Sequence, residues 1–253
     1  MSLNLITPPA REPLSLALAK EHLKIDSTFT DDDNLIQGLI IAARKYCEGF
    51  QNRAYLTQTY DLWLDHFPSG KYIDIPLPPL QSVTSIKYYG TDDTEYTLAA
   101  TEYDADTKGF VGRVVLKYSK TWPSTVLRPS NAVVVRFVAG YNTYSSTVST
   151  STVTVTKAAG DAFVTTWQAG KLVTINGVTY RLASVTNETT LVLATTAGTQ
   201  SSVSFLTDDV PEMVIQAMIL HVKLLYDDYS PQYRQQVERA RDSLLWMERV
   251  GAV

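Results

Sequence analysis

The chain has 253 residues, of which 45% are hydrophobic and 19% charged, a balance typical of globular rather than disordered protein. Its formal net charge is −4 at pH 7. A protein that grips nucleic acid by the phosphates needs a basic surface, so the composition argues against that class. The length allows one large domain or two smaller ones.

Cysteine and histidine are too sparse for a disulfide framework or an evident metal site. Cys47 is the single cysteine, so we interpret it as a small core residue in a protein assembled in a reducing cytoplasm. His22, His66 and His221 lie far apart and lack the spacing of a metal-binding pair. We expect no signal peptide, because no basic segment followed by an apolar core stands near the N-terminus.

Two helices are predicted after an irregular, proline-containing arm over residues 1–13. Ser15 is placed to cap the first, over roughly residues 16–25. Its expected inward-facing side chains are Leu16, Ala19, His22 and Leu23. The second helix is predicted to begin near residue 30 or 31, with the aspartates at 31–33 in its first turn, where the helix dipole favours negative charge. Its expected apolar face comprises Leu35, Leu39, Ile40, Ala43, Cys47 and Phe50.

From residue 56 the pattern changes to the alternation typical of strands. In the first of these, Tyr60, Leu62 and Leu64 share one face. Short polar or proline-containing turns separate the segments, which favours antiparallel pairing. The predicted strands of this β region cover residues 57–65, 72–75, 83–89, 96–98, 112–118 and 132–138.

A change of composition after Gly140 introduces a second β segment. Residues 142–156 are rich in Ser and Thr, and Asn176-Gly177 is a strong hairpin signal. We therefore predict a small all-β module over residues 147–207, with Phe163 and Trp167 in its core. It is inserted into a connector domain formed by residues 1–146 and 208–253.

The most apolar run of the chain, residues 209–226, predicts a long helix. Asp209 is placed to cap it, Pro211 suits its first turn and Glu212 completes a capping box. Apolar side chains occur nearly all round this helix, so neighbours or other subunits must bury it. A final helix is predicted from Ser230-Pro231, with an apolar face of Val237, Ala240, Leu244 and Met247.

Together these elements predict an α+β fold. It consists of a bundle of the N- and C-terminal helices, a central antiparallel β region and the inserted module. The expected cover of the long helix is Leu35, Leu39, Ala43 and Cys47 of the second helix and residues 237–247 of the last.

No catalytic constellation stands out in the sequence. A G-x-S-x-G elbow and a phosphate-binding loop are absent, and a helix N-terminus explains the aspartates at 31–33 better than a calcium loop does. We therefore predict no enzyme activity, no cofactor and no metal.

Several segments occur in a characteristic order. They are LALAKEHLKI at residues 16–25 followed by DDD at 31–33, LTQTY at 56–60, PPLQSV at 78–83, the run from Arg128-Pro129 to Tyr141, and Val210-Pro211-Glu212 with its long helix. This order resembles the phage head–tail connector proteins, also called adaptor or head-completion proteins. The module at 147–207 departs from the short pattern of that family.

The resemblance implies a structural virion protein at the head–tail junction, assembled in the cytoplasm of a host bacterium. It implies a ring of about twelve copies below the portal, which extends the DNA channel. The implied partners are the portal protein and a neck or tail-completion protein; DNA would pass without sequence-specific binding, and no membrane is involved. The candidate portal-binding residues are Arg239, Arg241, Trp246, Met247 and Arg249.

A different class of function stays open at this point. The chain can also be a tail or baseplate component whose β module binds a host-surface glycan, because aromatic side chains such as Trp122 and Trp167 can stack on sugars. Strand propensity and core packing explain the same aromatic residues more simply.

Overall fold

A computed structural model describes residues 1–227 and 229–251 and has an α+β fold. The helices in these residues are α1 (Leu16–Leu23), α2 (Asp33–Gln51), α3 (Glu212–Tyr226) and α4 (Pro231–Trp246). The strands are β1 (Ser2–Thr7), β2 (Gln58–Leu64), β3 (Tyr72–Ile75), β4 (Leu80–Tyr89), β5 (Glu95–Thr97), β6 (Tyr103–Asp106), β7 (Gly112–Leu116), β8 (Val133–Ala139), β9 (Thr143–Ser151), β10 (Thr154–Gly160), β11 (Leu172–Ile175), β12 (Val178–Asn187), β13 (Thr190–Leu193) and β14 (Gln200–Asp208). In the described part of the chain no helix is long and apolar enough to cross a membrane.

Contacts divide the chain into two compact units. The first contains residues 1–11 and 48–141 and the described residues from Trp246 onward. The second contains residues 12–47 and 142–245. The division into a connector domain and an inserted module is drawn at different boundaries and stays a prediction.

The first unit is built on antiparallel sheets. One has the strand order β1-β2-β8-β4-β5 and another the order β3-β7-β6. Ile75 of β3 and Val114 of β7 belong to the same buried cluster as Leu62, Ile86 and Phe137 of the larger sheet. The two sheets therefore share one hydrophobic core.

The structure confirms the predicted strands of this region, with ends that differ by a few residues, and adds two. The N-terminal arm is not irregular, because β1 pairs antiparallel with β2 and places Leu3 opposite Leu62. Strand β6, which was also not predicted, pairs with β7. β1 is exposed along its whole length, and β6 contains two aspartates, a residue type depleted in strands.

The second unit contains a closed six-stranded barrel in the order β10-β13-β12-β11-β14-β9. Phe163 and Trp167 lie buried in its core with Phe205, as predicted. The hairpin at Asn176 and Gly177 also forms, and both residues have positive φ, at 49° and 80°. Such angles favour this residue pair in a tight hairpin turn.

The start of α3 differs from the prediction. The N-cap position is Pro211, which offers no side-chain hydrogen bond, so the cap at Asp209 and the capping box through Glu212 are wrong. The Asp209 carboxylate instead accepts hydrogen bonds from Tyr144 Oη at 2.8 Å and from Trp167 Nε1 and Lys171 Nζ at 3.2 Å. Charge-assisted bonds to partly buried donors are stronger than a bond to a helix end near solvent.

The hydrogen bond to Asp209 also affects the pKa of Tyr144. Burial, and after it the hydrogen bond to Asp209, raise the pKa of its hydroxyl to about 12. The hydroxyl therefore stays a donor at neutral pH. One carboxylate thus joins β9, the segment that carries Trp167 and the end of β14.

Helix α3 is buried over a wide face, while Leu225 near its C-terminal end is 41% exposed. Its buried side chains are Val214, Ile215, Ala217, Met218, Ile219, Val222 and Leu224. On α2, however, the inward stripe runs through Ile36, Ile40, Ala43 and Cys47, and Leu35 is 55% exposed. These four buried residues are spaced by four, three and four positions, which places them on a single helical stripe. Leu35 lies one position before the stripe and therefore on a different face, so its assignment to the apolar face is wrong.

Two further helix assignments need correction. α1 ends at Leu23 and His22 is exposed, whereas Lys20 is buried and donates to Asp33 Oδ1 at 2.8 Å. On α4 the inward residues are Val237, Arg241 and Leu245, while Ala240 and Met247 are exposed. A hydrophobicity pattern predicts that a charged residue faces solvent, because the pattern contains no information about the hydrogen-bond partners that allow the charge to be buried.

Replacing Asp209 with Ala is expected to destabilise the barrel, because three donors lose their shared acceptor. The expected loss is about 1–3 kcal/mol of unfolding free energy, measured by chemical denaturation. Glu188→Ala is the matched control, since its exposed carboxylate lies on the same barrel. Equal losses for the two variants would contradict this role of Asp209.

Candidate partner-binding site

The C-terminal segment after α4 is hydrogen-bonded to the last residue of α2 and to the residues that follow it. Val250 N donates to Gln51 O at 2.9 Å, and Asn52 Nδ2 donates to Val250 O at 2.8 Å. Arg53 Nε donates to Glu248 O at 2.7 Å. These bonds hold the backbone of residues 248–250 in one position within the first unit.

An arginine lies against two aromatic rings at the same place. The guanidinium carbon of Arg249 is 5.1 Å from the ring centre of Phe50 and 5.2 Å from that of Trp246. The two rings meet edge to face, 6.4 Å apart. Trp246 is nevertheless 64% exposed and Met247 76% exposed. We call Trp246, Met247 and Arg249 the C-terminal patch.

Buried polar groups support the backbone beneath this patch. Tyr141 Oη donates to Glu248 Oε2 at 2.9 Å, and Arg53 Nη1 donates to Tyr141 Oη at 3.4 Å. Burial is the largest cause that raises the pKa of the Tyr141 hydroxyl, with a contribution from Glu248 in the same direction and an opposing one from Arg53. The guanidinium of Arg53 also lies 4.7 Å from the ring centre of Phe110, which is 61% exposed.

The patch has the chemistry of a protein-binding surface. Trp and Arg are enriched among the residues that contribute most to protein interfaces, and Met adapts its shape to a partner. Because Phe50 and the anchored backbone already order Arg249, binding costs less side-chain entropy than it does for a free arginine. A complementary partner surface presents apolar side chains and a carboxylate.

Arg241 has a different role from these residues. It is only 5% exposed and belongs to the second unit. Its Nη2 donates to Tyr46 Oη at 2.7 Å, its Nη1 to His221 Nδ1 at 2.7 Å and its Nε to Asp242 Oδ1 at 2.8 Å. The rings of Tyr46 and His221 are stacked with centres 4.3 Å apart. Arg241 thus joins α2, α3 and α4 from inside.

This geometry determines the protonation of His221. A guanidinium can only donate, so Nδ1 must accept, and the ring must be neutral. Burial is the main cause that lowers the pKa of His221 to about 4, and the charge of Arg241 acts in the same direction.

The structure therefore separates the predicted site residues. Trp246, Met247 and Arg249 form one surface of the first unit, whereas Arg239 is exposed and Arg241 buried in the second. Sequence reasoning missed Phe50, which was assigned to an apolar helix face. It also missed the pairing of Phe110 and Arg53, for which no spacing signal exists because the contact joins distant parts of the chain.

Within the described residues, no group of three or more His, Cys, Asp or Glu side chains is arranged to hold a metal ion. Tyr46, Tyr141, Tyr144 and His221, whose pKa values are shifted, take part in the hydrogen bonds described above. The C-terminal patch is therefore our candidate site.

No known family profile and no curated protein matches the sequence. Among solved structures, the fold is similar to chains in the neck of an empty gene transfer agent (GTA) particle computed with C6 symmetry (TM-score 0.61), the virion of a native GTA particle (0.58) and the neck of the native particle computed with C12 symmetry (0.57). Each is 16% identical, and the similarity covers 100% of this chain and 97% of the other. The shared fold thus includes the barrel.

The stability of the protein is expected to fall as the pH is lowered from about 6.5 to about 4, which are the pKa values of His221 in the unfolded and folded chain. In this window the unfolded chain binds a proton that the folded chain excludes, so acid favours unfolding. His221→Gln keeps an acceptor for Arg241 without titrating. Chemical denaturation at a series of pH values is expected to show that the unfolding free energy of this variant depends less steeply on pH than that of the wild type. Identical slopes for the two proteins would contradict the role of His221.

Proposed function

We propose that the protein is a head–tail connector, or adaptor, of a phage-like virion. In this role about twelve copies form a ring below the portal. The ring extends the DNA channel, completes the head and joins the capsid to the neck or tail. It is assembled in the bacterial cytoplasm and retained at the head–tail junction.

The fold carries this proposal. The similar chains belong to neck and virion structures, two of them computed with C6 or C12 symmetry, and the similarity extends over the whole chain. A cyclic arrangement of identical subunits requires a heterologous contact that closes by rotation. The order of sequence segments that resembles the connector family supports the same role independently.

The charge of the chain is compatible with a channel for DNA. Its net charge is −4 at pH 7, so phosphates are not attracted to it overall. Like charge lets DNA move past a surface without sticking to it. DNA is therefore cargo of the channel in this proposal, and no base is recognised.

We assign the ring body to the connector domain of residues 1–146 and 208–253, with the N- and C-terminal helices as its bundle. The module of residues 147–207 then projects from the ring. Its closed barrel supports this assignment, because closure leaves no free strand edge along the sheet.

The C-terminal patch is the proposed contact with the portal protein. Trp246 and Met247 supply apolar area, and Arg249 supplies a charge that is already oriented by two rings. Arg239, a further proposed contact, is exposed in the second unit, and Arg241 positions α4 from inside that unit. The neck or tail-completion protein then occupies another face of the ring.

The aromatic rings in the core of the module do not support the glycan-binding alternative. Phe163 and Trp167 are in the interior of the barrel, so neither ring is free to stack on a sugar. An open cleft on the barrel is bordered by Tyr144, Asp161 and Glu188. Tyr144 meets Trp167 edge to face and its hydroxyl is engaged with Asp209, so it belongs to the barrel structure.

Imaging the neck of the assembled particle tests the function directly. The expected result is a ring of this chain between the portal and the tail. If the chain is found only in the tail tip or baseplate, or is missing from the particle, the connector role is wrong.

Replacing Trp246 with Ala, alone and together with Arg249→Glu, is expected to weaken portal binding. Loss of a large aromatic anchor typically costs about 2 kcal/mol or more, which corresponds to a roughly 30-fold weaker affinity. The measurement is binding of the purified chain to portal rings, with particle yield as a second readout. Tyr118→Ser is the control, because Tyr118 is 96% exposed in the same unit but outside the patch. Unchanged binding by both patch variants would exclude this surface.

A further inference from the structure

Strand β1 lies at the edge of its sheet and is only half covered. Leu3 pairs with Leu62 and Leu5 with Tyr60, and side chains opposite each other in a pair share a face. Leu62 and Tyr60 belong to the core, yet Leu3 is 36% and Leu5 49% exposed. Among the described residues, the core face of the sheet therefore extends to Leu3 and Leu5, which remain partly uncovered.

A cavity beside this strand has the same character. It has a volume of about 250 Å³, and Leu3, Leu62, Leu77 and Val250 contribute to its mostly apolar lining. All of these residues belong to the first unit. The apolar layer is thus open at the β1 edge.

The two edges of this sheet are protected to different degrees. Strand β5 at one edge has only three residues, and its Glu95 is paired with Lys87 at 2.7 Å. Short length and charge are common means of preventing edge-to-edge association. Strand β1 has six residues, and no charged side chain occurs in residues 1–10. Only a bulge near Leu5 and the prolines after Thr7 limit it.

The β1 sequence is complementary to itself. If two copies align antiparallel about Asn4, Leu3 of each copy lies opposite Leu5 of the other, on the core face of both sheets. The Asn4 side chains then meet on the opposite face, where two amides can exchange hydrogen bonds. No charge opposes the contact, and the unpaired backbone groups of both edges become paired.

We propose that β1 is a self-recognition edge, through which two copies of the chain form a two-fold symmetric dimer with a continuous ten-stranded sheet. The contact is small, so the dimer is weak and depends on protein concentration. It goes beyond the proposed ring, because a two-fold contact between identical patches cannot be repeated around a ring of more than two subunits. The dimer is therefore a form of the protein outside any ring, and the proposal of a dimer does not rest on the connector role.

Disulfide trapping tests the symmetry axis. In Asn4→Cys the two thiols meet at the axis, so oxidation of the concentrated full chain is expected to give covalent dimers at least about tenfold faster than in Val178→Cys. Val178 is a comparable control because it is 51% exposed on the barrel, and the wild type controls for the buried Cys47. Equal rates for the two variants would overturn the proposal.

A charge exchange at the same position provides a second test. Asn4→Asp and Asn4→Lys each place like charges in direct opposition, so each variant alone is expected to be monomeric in sedimentation equilibrium at concentrations where the wild type dimerises. An equimolar mixture is expected to restore a heterodimer, which shows that both variants are folded. A wild type that stays monomeric in the millimolar range, or a mixture that does not pair, would overturn the proposal. Finding the chain as a ring in particles leaves this result unaffected, so the two proposals can fail separately.

Discussion

The buried guanidinium of Arg241 is the constraint on which the helical part of the protein depends. A charged group in the interior needs partners for its donors, and Tyr46, His221 and Asp242 supply them. This requirement determines which face of α4 turns inward. With Val237, Arg241 and Leu245 inside, Trp246 at the end of the helix is left exposed. The exposure of Trp246 is thus linked, along the helix, to the buried contacts of Arg241.

A second polar contact organises the barrel in a comparable way. Asp209 stands just after β14, and its carboxylate gathers Tyr144, Trp167 and Lys171. Lys171 also donates to the carbonyl of Asp208. Asp209, which the local pattern predicts as a helix cap, instead links β9 and the segment of residues 167–171 to the end of β14. Non-local donors outweigh the local ones because they are partly buried and one of them is charged.

The candidate site is a prepared surface rather than a catalytic one. Its backbone is held by bonds from Gln51, Asn52 and Arg53, and its arginine is held by aromatic rings. Such a surface loses little conformational entropy on binding. This arrangement suits the proposed role of joining other components. The open edge at β1 is a separate feature, with apolar chemistry and no charge, and it is suited to a different partner.

The sequence by itself determined the elements whose signals are local. Alternation predicted six strands of the first unit, Asn176-Gly177 predicted a hairpin, and the density of apolar residues in 209–226 predicted a buried helix. It also placed Phe163 and Trp167 in a β core. Tertiary structure alone decided the pairing of β1, the partners of Asp209 and the burial of Arg241. Each depends on donors, acceptors or strand edges from distant parts of the chain, and their energies do not appear in any local pattern of hydrophobicity.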